Sequence, residues 1–556
     1  MNDASAINAK FLSLLPEGVA AYVTAALSSG LFDPARLQAA FASVDWALHR
    51  DKLQEVLREL LPIEELVPPV YEQWRPVIRD GFDFIGARLS SDRLAPKLVE
   101  QLTLPASTSV EDRILTFIRR VPVLQKIGQT VARNANLENS FRARLTILED
   151  GIHDVEESEI RAEVETQLAP LLAEYRVDLK PGIYGEGSVS ALLRFTCRAC
   201  PGIGPVAGVF KVLKPFIPKY FKEELALLAD LADYFDASQQ RYNLDKLNLR
   251  AILDEIRELY EREIDFIHER ENLITAGERY GGVAGLRIPR PIAALSTASI
   301  TAMTEERSVK IIDAFPGNLL RRKELARRLI ECLVARPLFL GQELSPFHAD
   351  PHVGNLRVDE ANGDLVLLDW ALTGTLTTVD RRSLLLLLLT LPLRDEAQIL
   401  AALSEISLAK DEVTQIFLKR QIEIFMDDLP LGSIPNPGSL GDLVDDLLRA
   451  GLRFSGSFLI FRKMLSTLAD VVEQISPSET IQQVVLEYAV TNGLVSALAP
   501  GARKREFQIP LRASDLLQLG LSAQLLLPRV WAQTARSIAR QGAFLPGHFQ
   551  PKLELK

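Results

Sequence analysis

The stretch that decides the fold is residues 347–356, which read FHADPHVGNL. Asp350 and Asn355 stand five residues apart in this polar loop, and an apolar run at 365–368 leads directly into Asp369. Phosphoryl transfer needs a carboxylate near the attacking group and oxygen donors for a divalent cation. The spacing therefore predicts that Asp350 orients or deprotonates the attacking group, while Asn355 and Asp369 bind the metal. We interpret His348, in the same loop, as structural rather than as a metal ligand.

Upstream of this loop, the sequence predicts a small antiparallel sheet. Residues 182–195 read as a strand, a glycine turn and a second strand, and residues 206–213 read as a third strand. Residues 288–303 are rich in β-branched side chains and favour two further strands. Met303, at the end of this segment, is assigned to nucleotide binding.

The glycine turn and the third strand supply groups suited to phosphate. Gly185, Gly187 and Ser188 lie in the turn, and glycine lets backbone amides approach a phosphate closely. Lys211 lies in the third strand among apolar neighbours, where a lysine is costly unless its ammonium group finds a partner. These residues are therefore candidates for nucleotide binding, although a hairpin turn and an outward-facing edge lysine are the simpler alternatives.

A helix after the third strand offers a carboxylate partner for that lysine. An apolar stripe recurs every three or four residues from 252 to 274, and Glu263 interrupts it. Asp265 and Glu269 lie on a neighbouring stripe of the same predicted helix. Periodicity alone leaves open which carboxylate faces Lys211.

The overall pattern predicts an α+β, predominantly helical fold with a bilobal, protein-kinase-like layout and a helical N-terminal extension. At 556 residues the chain is long enough for several compact units. The ordered set of Lys211, Asp350, Asn355 and Asp369 favours the kinase-like interpretation. The predicted domains are an N-terminal helical region (1–105), a helical extension (106–178), an N-lobe with inserted helices (179–306), a helical C-lobe (307–476) and a helical tail (477–556).

Several strings resemble the motifs of the UbiB/AarF family of atypical kinases over residues 115–475. The family's KxGQ motif appears at 126–129 and continues into a similar stretch at 133–150, and its ExD motif appears at 263–265. Its HADPHPGN loop appears at 348–355, and its DFG motif appears as Asp369-Trp370-Ala371. The following family glutamate, which pairs with the strand lysine, matches Glu269.

This resemblance implies an atypical kinase or ATPase that uses ATP and Mg²⁺ and is linked to prenyl-lipid or quinone metabolism. It implies catalytic roles for Lys126 and Gln129, on one face of a helix that covers the usual substrate cleft, and a metal-site role for Glu263. The family's alanine-rich loop is replaced here by the glycine turn. Two other functions remain open: a nucleotide-binding regulatory scaffold and a protein kinase.

Composition limits the partners and the location. The net charge of −10 argues against nucleic acid as a partner. Three cysteines suit a reducing compartment, and Cys197 and Cys200 are interpreted as loop thiols. No signal peptide or transmembrane anchor is predicted, so a cytoplasmic location is expected. The N-terminal helices favour a protein partner, and an amphipathic stretch at 516–527, ended by Pro528, would allow peripheral membrane contact.

Overall fold

The computed structural model describes residues 11–29, 33–105, 107–132, 153–242, 249–430, 435, 437–498 and 507–542. The stretch at 133–150 that resembles the UbiB/AarF family lies outside these residues. The chain divides into two compact units. Unit 1 comprises Met1–Arg270 and Pro291–Glu305, and unit 2 comprises Glu271–Arg290 and Glu306–Lys556. The five-domain division of the sequence stays a prediction.

Unit 1 begins with helices and continues with an antiparallel sheet. Its described helices are α1 (Glu17–Ser29), α2 (Pro34–Ala42), α3 (Arg50–Leu60), α4 (Arg75–Gly86), α5 (Ser91–Thr103), α6 (Val110–Ile118), α7 (Pro122–Ala132), α8 (Glu157–Glu174), α9 (Phe216–Ala237), α10 (Gln239–Tyr242) and α11 (Leu249–Glu263). One apolar core joins side chains of these helices, including Phe41, Leu57, Phe117, Leu228 and Ile256. The predicted helical character of residues 1–105 is confirmed for the described part of that region.

From one edge to the other, the sheet of unit 1 consists of β1 (Val177–Glu186), β2 (Ser190–Cys200), β3 (Gly204–Leu213) and β5 (Ile300–Thr304). The first three confirm the predicted hairpin pattern. Phe195 and Phe210 stack in it with ring centroids 4.2 Å apart. A Cβ at Gly208 would lie 2.3 Å from the Phe195 ring, so glycine is required there for the two strands to pair.

Two strand and loop predictions in this region are wrong. Residues 288–303 form one strand, β5, and an isolated bridge between Pro291 and Met303, not two strands. A short 3-10 turn at Ala293–Leu295 takes up part of the segment. Cys197 and Cys200 lie at the end of β2 and are buried, because β2 continues past the apolar run that marked it in the sequence.

The single helix predicted across the ExD motif is also wrong. The chain forms α11 and then a second helix, α12 (Phe266–Tyr280), which carries it from unit 1 into unit 2. Asp265 starts α12 by accepting a hydrogen bond from the His268 amide at 3.0 Å. The apolar stripe therefore does not continue, and Ile267 and Ile274 are exposed in α12.

Unit 2 is mostly helical and has two small sheets. Its described helices after α12 are α13 (Leu319–Ile330), α14 (Arg336–Phe339), α15 (Thr378–Thr390), α16 (Glu396–Ile406), α17 (Glu412–Asp428), α18 (Pro437–Arg449), α19 (Gly456–Ile475), α20 (Ile481–Leu498), α21 (Ala513–Gln524) and α22 (Leu526–Gly542), with a π-helical turn at Glu331–Ala335. Its strands are β4 (Leu286–Arg287), β6 (Val309–Lys310), β7 (Ser345–His348), β8 (Leu356–Asp359), β9 (Asp364–Leu367) and β10 (Thr373–Leu376), ordered β4-β9-β8-β6 and β10-β7.

The leucine run of unit 2 is a buried helix, as predicted. Thr377 caps α15 by accepting a hydrogen bond from the Asp380 amide at 3.1 Å, and Leu384 to Leu388 are buried. None of the helices in the described ranges is both long enough and apolar enough to cross a membrane. The helix that carries the amphipathic stretch, α21, ends at Gln524, and Pro528 lies in the first turn of the next helix, α22, where proline is tolerated. Both units together confirm an α+β, predominantly helical fold.

Candidate functional site

In unit 1, Lys211 forms a buried ion pair with Glu269. Its ammonium group lies 2.6 Å from Glu269 Oε1 and 5.3 Å from the centre of the Phe266 ring. Lys211 lies in the centre of the sheet, with Leu192 of β2 on one side and Thr301 of β5 on the other. The Asp265 cap places Glu269 in the first turn of α12, so the helix break that the sequence did not reveal is what aims this carboxylate.

The other ExD carboxylate has a different partner. Glu263, the last residue of α11, forms an ion pair with Lys126 of α7. The Ser188 hydroxyl lies 3.5 Å from the same carboxylate, at the limit of a hydrogen bond. The structure therefore brings Lys126, Ser188 and Glu263 together. The proposed metal-site role of Glu263 stays a prediction, and its carboxylate is held by the Lys126 ammonium group.

Helix α7, which carries the KxGQ residues, is fixed at its N-terminus by a buried carboxylate. The Val123 amide donates a hydrogen bond to Glu224 Oε2 at 2.7 Å, and Glu224 also forms a buried ion pair with Arg93. A carboxylate at this position stabilises the helix N-terminus and its unpaired amides. Lys126 and Gln129, three residues apart on α7, are both buried.

The glycine turn joins β1 to β2. The Gly187 amide donates a hydrogen bond to the Ser190 carbonyl at 2.8 Å, which closes the turn. A Cβ at Gly187 would meet only atoms of Ser190, at 3.8 Å and beyond, so this part of the turn is open. A turn with this much space at its backbone suits a phosphate group. Met303 pairs with Val209 of β3 and is half-buried.

Sequence reasoning missed a group of three fully buried charges beside this turn. Lys214 Nζ lies 2.5 Å from Asp154 Oδ1 and 2.8 Å from Glu186 Oε1. Burial alone would raise the pKa of Glu186, but the hydrogen bond from the Asp154 amide and the contact with Lys214 lower it. The available signals were a second lysine three residues after Lys211 and an acidic residue inside a glycine turn.

In unit 2, His348 ties the two ends of the polar loop region together. Its Nε2 lies 2.9 Å from the Asp369 carbonyl, and its Nδ1 accepts a hydrogen bond from the Asp350 amide at 3.3 Å. Burial lowers the pKa of His348, so the ring is neutral and can donate from Nε2 while it accepts at Nδ1. This geometry supports the structural interpretation of His348.

Asn355 is tied to both aspartate segments. The side-chain Nδ2 of Asn355 donates to the backbone carbonyl of Asp350 at 3.1 Å. The backbone carbonyl of Asn355 accepts a hydrogen bond from the Leu368 amide at 3.0 Å. Because the amide nitrogen is used in this way, Oδ1 is the end of the side chain that can serve as a metal ligand. The structure therefore brings the Asp350, Asn355 and Asp369 segments together in unit 2.

The turn after Asp369 is held by Trp370 and by Asn272 of α12. Asp369 Oδ1 accepts a hydrogen bond from the Ala371 amide at 3.0 Å. The Trp370 carbonyl accepts one from Asn272 Nδ2 at 3.0 Å, and the Trp370 ring packs edge-on against His348 at 4.9 Å. Trp370, which stands where the family has phenylalanine, therefore fixes the turn through its ring and its carbonyl.

Two side-chain oxygen groups in unit 2 would suit a magnesium ion that also binds a phosphate. No cluster of three or more His, Cys, Asp and Glu side chains suited to a metal occurs among the residues that the structure describes. Mg²⁺ does not need such a cluster, because it is usually bound by one or two carboxylates together with substrate phosphates and water. Asp369 and Asn355 supply a carboxylate and an amide oxygen on adjoining segments.

Residues 206–403 match the family model for the ABC1 atypical kinase-like domain. Relatives named as UbiB and aarF domain-containing protein kinases match the chain as well, so it carries an ABC1 atypical kinase-like domain and is similar to the UbiB/AarF family, with the bilobal kinase-like fold that the motifs predicted. The resemblance inferred from the KxGQ, ExD and HADPH-type strings is confirmed.

Two relatives and one solved structure illustrate the likeness. Protein ACTIVITY OF BC1 COMPLEX KINASE 7, chloroplastic, of Arabidopsis thaliana is 25% identical over 66% of this chain and 52% of its own length. Probable protein kinase UbiB of Shewanella halifaxensis is 25% identical over 60% of each chain. The Rv3197–erythromycin complex from Mycobacterium tuberculosis is 16% identical, covers 66% of this chain and 97% of its own, and has a TM-score of 0.40.

The chain thus spans about half the length of the first of these relatives and three fifths of the second. Some relatives carry a chloroplastic designation in their names, so the cytoplasmic location of this chain stays a prediction.

Proposed function

We propose that this chain binds MgATP and either transfers or hydrolyses its terminal phosphoryl group, as an atypical kinase or ATPase. The observation that carries the proposal is the buried Lys211–Glu269 ion pair on a central strand and a capped helix. A buried lysine held by a glutamate is ready to bind an anion without further rearrangement, and this pair is part of the kinase phosphate site.

The candidate residues within each unit suit a distinct part of the chemistry. In unit 1, the Lys211 ammonium group would neutralise phosphate charge, and the open space at the glycine turn would let the phosphates approach the backbone closely. In unit 2, Asp350 would orient the attacking hydroxyl or water and accept its proton. Asn355 and Asp369 would hold Mg²⁺, which neutralises the charge that develops on the phosphoryl oxygens.

The phosphoryl acceptor is proposed to be water or a small molecule, including a prenyl lipid or a quinone precursor. Lys126 and Gln129 support this choice, because their burial on α7 and the Lys126–Glu263 pair leave this helix face closed to a peptide. We propose that the N-terminal helices α1 to α6 bind a protein partner.

The test is magnesium-dependent ATP hydrolysis by the purified chain, with and without prenyl-lipid precursors. Asp350→Asn should lose turnover while it keeps nucleotide affinity, because it removes the proton acceptor and leaves Lys211 in place. Asp364→Asn is the matched control, since Asp364 lies on β9 of unit 2 and pairs with Arg287 at 2.8 Å. ATP binding without turnover in the unchanged protein would replace the enzyme with a nucleotide-gated scaffold.

A further inference from the structure

The glycine turn contains an acidic residue whose charge would oppose a phosphate group. Glu186 lies between Gly185 and Gly187, at the end of β1. A carboxylate in a turn that receives phosphates repels them, unless it is neutralised or turned away. The Glu186 side chain is turned away, because it is only 1% exposed and is in contact with Lys214.

Lys214 is placed to neutralise this carboxylate. It follows the last residue of β3, and its amide donates to the Val189 carbonyl at 3.0 Å, which holds the lysine beside the far end of the turn. Its side chain is fully buried, so its ammonium group has no access to water. Its positive charge is compensated by the Glu186 carboxylate at 2.8 Å and the Asp154 carboxylate at 2.5 Å.

Asp154 connects this cluster to the KxGQ helix. Its amide donates to Glu186 Oε1 at 2.9 Å, and its Oδ2 accepts hydrogen bonds from Gln125 Nε2 at 3.2 Å and the Arg120 amide at 3.1 Å. Gln125 precedes Lys126 on α7. The other Glu186 oxygen contacts His153 Nδ1 at 3.1 Å. The cluster thus holds the turn from the side of α7.

We infer that Lys214 is a positioning residue that keeps the Glu186 carboxylate buried and neutralised, so that the glycine turn can accept the phosphates of a nucleotide. This inference rests on the proposed function. Lys214 would not contact the substrate, and the effect of Lys214 on binding would depend on the charge of the ligand. Loss of the Lys214–Glu186 contact should weaken binding of ATP but not of adenosine, which carries no phosphate.

The first test compares two changes at Glu186. Glu186→Asp keeps the charge but shortens the side chain by one methylene, so the carboxylate no longer reaches Lys214. Glu186→Gln keeps the length and removes the charge. Because one unpaired charge near the phosphates acts over several ångströms, we expect Glu186→Gln to bind MgATP about tenfold more tightly than Glu186→Asp, with similar adenosine affinities. Isothermal titration calorimetry measures both ligands.

The second test uses Lys214 itself. Lys214→Met should lower MgATP affinity about tenfold, and the double variant Lys214→Met/Glu186→Gln should restore most of it. Amide hydrogen exchange without nucleotide should be faster at 185–190 in Lys214→Met than in the unchanged protein.

The outcomes separate the two proposals. No MgATP binding by the unchanged protein overturns the proposed function and the role of Lys214 with it. MgATP binding by the unchanged protein, with equal losses for ATP and adenosine or with no difference between Glu186→Asp and Glu186→Gln, overturns only the role of Lys214. Rescue by Glu186→Gln that is confined to ATP supports the inference, since a purely structural lysine would affect both ligands.

Discussion

The candidate residues of the two units are held in place by different kinds of interaction. In unit 1, three lysines are held by carboxylates: Lys211 by Glu269, Lys126 by Glu263, and Lys214 by Asp154 and Glu186. In unit 2, the Asp350, Asn355 and Asp369 segments are held mainly by hydrogen bonds to backbone atoms, with the neutral His348 ring as the link.

This difference determines how each unit responds to change. Removing one partner of a buried ion pair leaves a charge without compensation, which is far more costly than the loss of a neutral hydrogen bond. Backbone hydrogen bonds, in contrast, survive most side-chain substitutions around them. The positions of the unit 1 side chains therefore depend on the charge of each partner. The positions of the unit 2 side chains depend on the backbone conformation around them.

The largest expected effect separates phosphate binding from metal binding. Lys211→Met and Asp369→Asn should each lower magnesium-dependent ATP turnover by roughly 100-fold or more. Only Lys211→Met should weaken nucleotide binding when magnesium is absent, because Asp369 acts through the metal. Nucleotide titrations with and without magnesium check this. Unchanged MgATP affinity in Asp369→Asn would contradict the metal assignment.

The next effect concerns stability in unit 1. Lys214→Met should lower the free energy of unfolding by roughly 3–5 kcal/mol, because two buried carboxylates lose their cation. Lys219→Met is a matched control, since Lys219 pairs with Asp92 at the surface, and it should cause a much smaller change. Urea denaturation of both variants measures the difference. Similar losses in the two variants would show that burial of the Lys214 pair has no energetic consequence.

A smaller loss is expected from the corresponding change in unit 2. His348→Phe keeps an aromatic ring against Trp370 and removes the hydrogen bonds to the Asp350 and Asp369 backbone. The expected loss in unfolding free energy is about 1–3 kcal/mol. Denaturation under the same conditions as for Lys214→Met tests the contrast between the units. If His348→Phe lost as much unfolding free energy as Lys214→Met, the contrast between the two units would be wrong.

The smallest effect is a difference in thiol labelling. Burial raises the pKa of Cys200 in unit 1, and that of Cys332 in unit 2, to about 12. At pH 8, labelling with a disulfide reagent should therefore be at least roughly 100-fold slower than in the unfolded chain. Lys214→Met should speed labelling of Cys200 and leave Cys332 unchanged. Mass spectrometry of labelled peptides distinguishes the two sites, and equal acceleration at both would argue against a local effect in unit 1.

Sequence patterns predicted the strands, turns and loops that are determined by residues close together in the chain. The strand, turn and strand around the glycine turn and the polar loop with Asp350 and Asn355 were recognisable because neighbouring residues determine them. The break at Asp265 was missed because a capping aspartate fits a helical pattern as easily as it ends one. The true partners of Glu263 and Glu269 could not be derived from periodicity for the same reason.

Long-range pairing explains the rest of what the sequence did not reveal. Asp154 and Lys214 are 60 residues apart, and no periodic pattern connects them. Burial of a charge can be suspected from its apolar neighbours, as for Lys211, but the identity of its partner depends on how distant segments pack. The resemblance to the UbiB/AarF family singled out Glu269 but carried no information on the Glu186 cluster.

The helix break at Asp265 also bears on how this region can vary in evolution. Because α12 begins anew at its own cap, an insertion or deletion within α11 would rotate Glu263 about the axis of α11. It would leave Glu269 in the first turn of α12. Length changes before the break should therefore leave the Lys211–Glu269 pair intact and disrupt the Lys126–Glu263 pair. The two pairs can thus change independently in evolution.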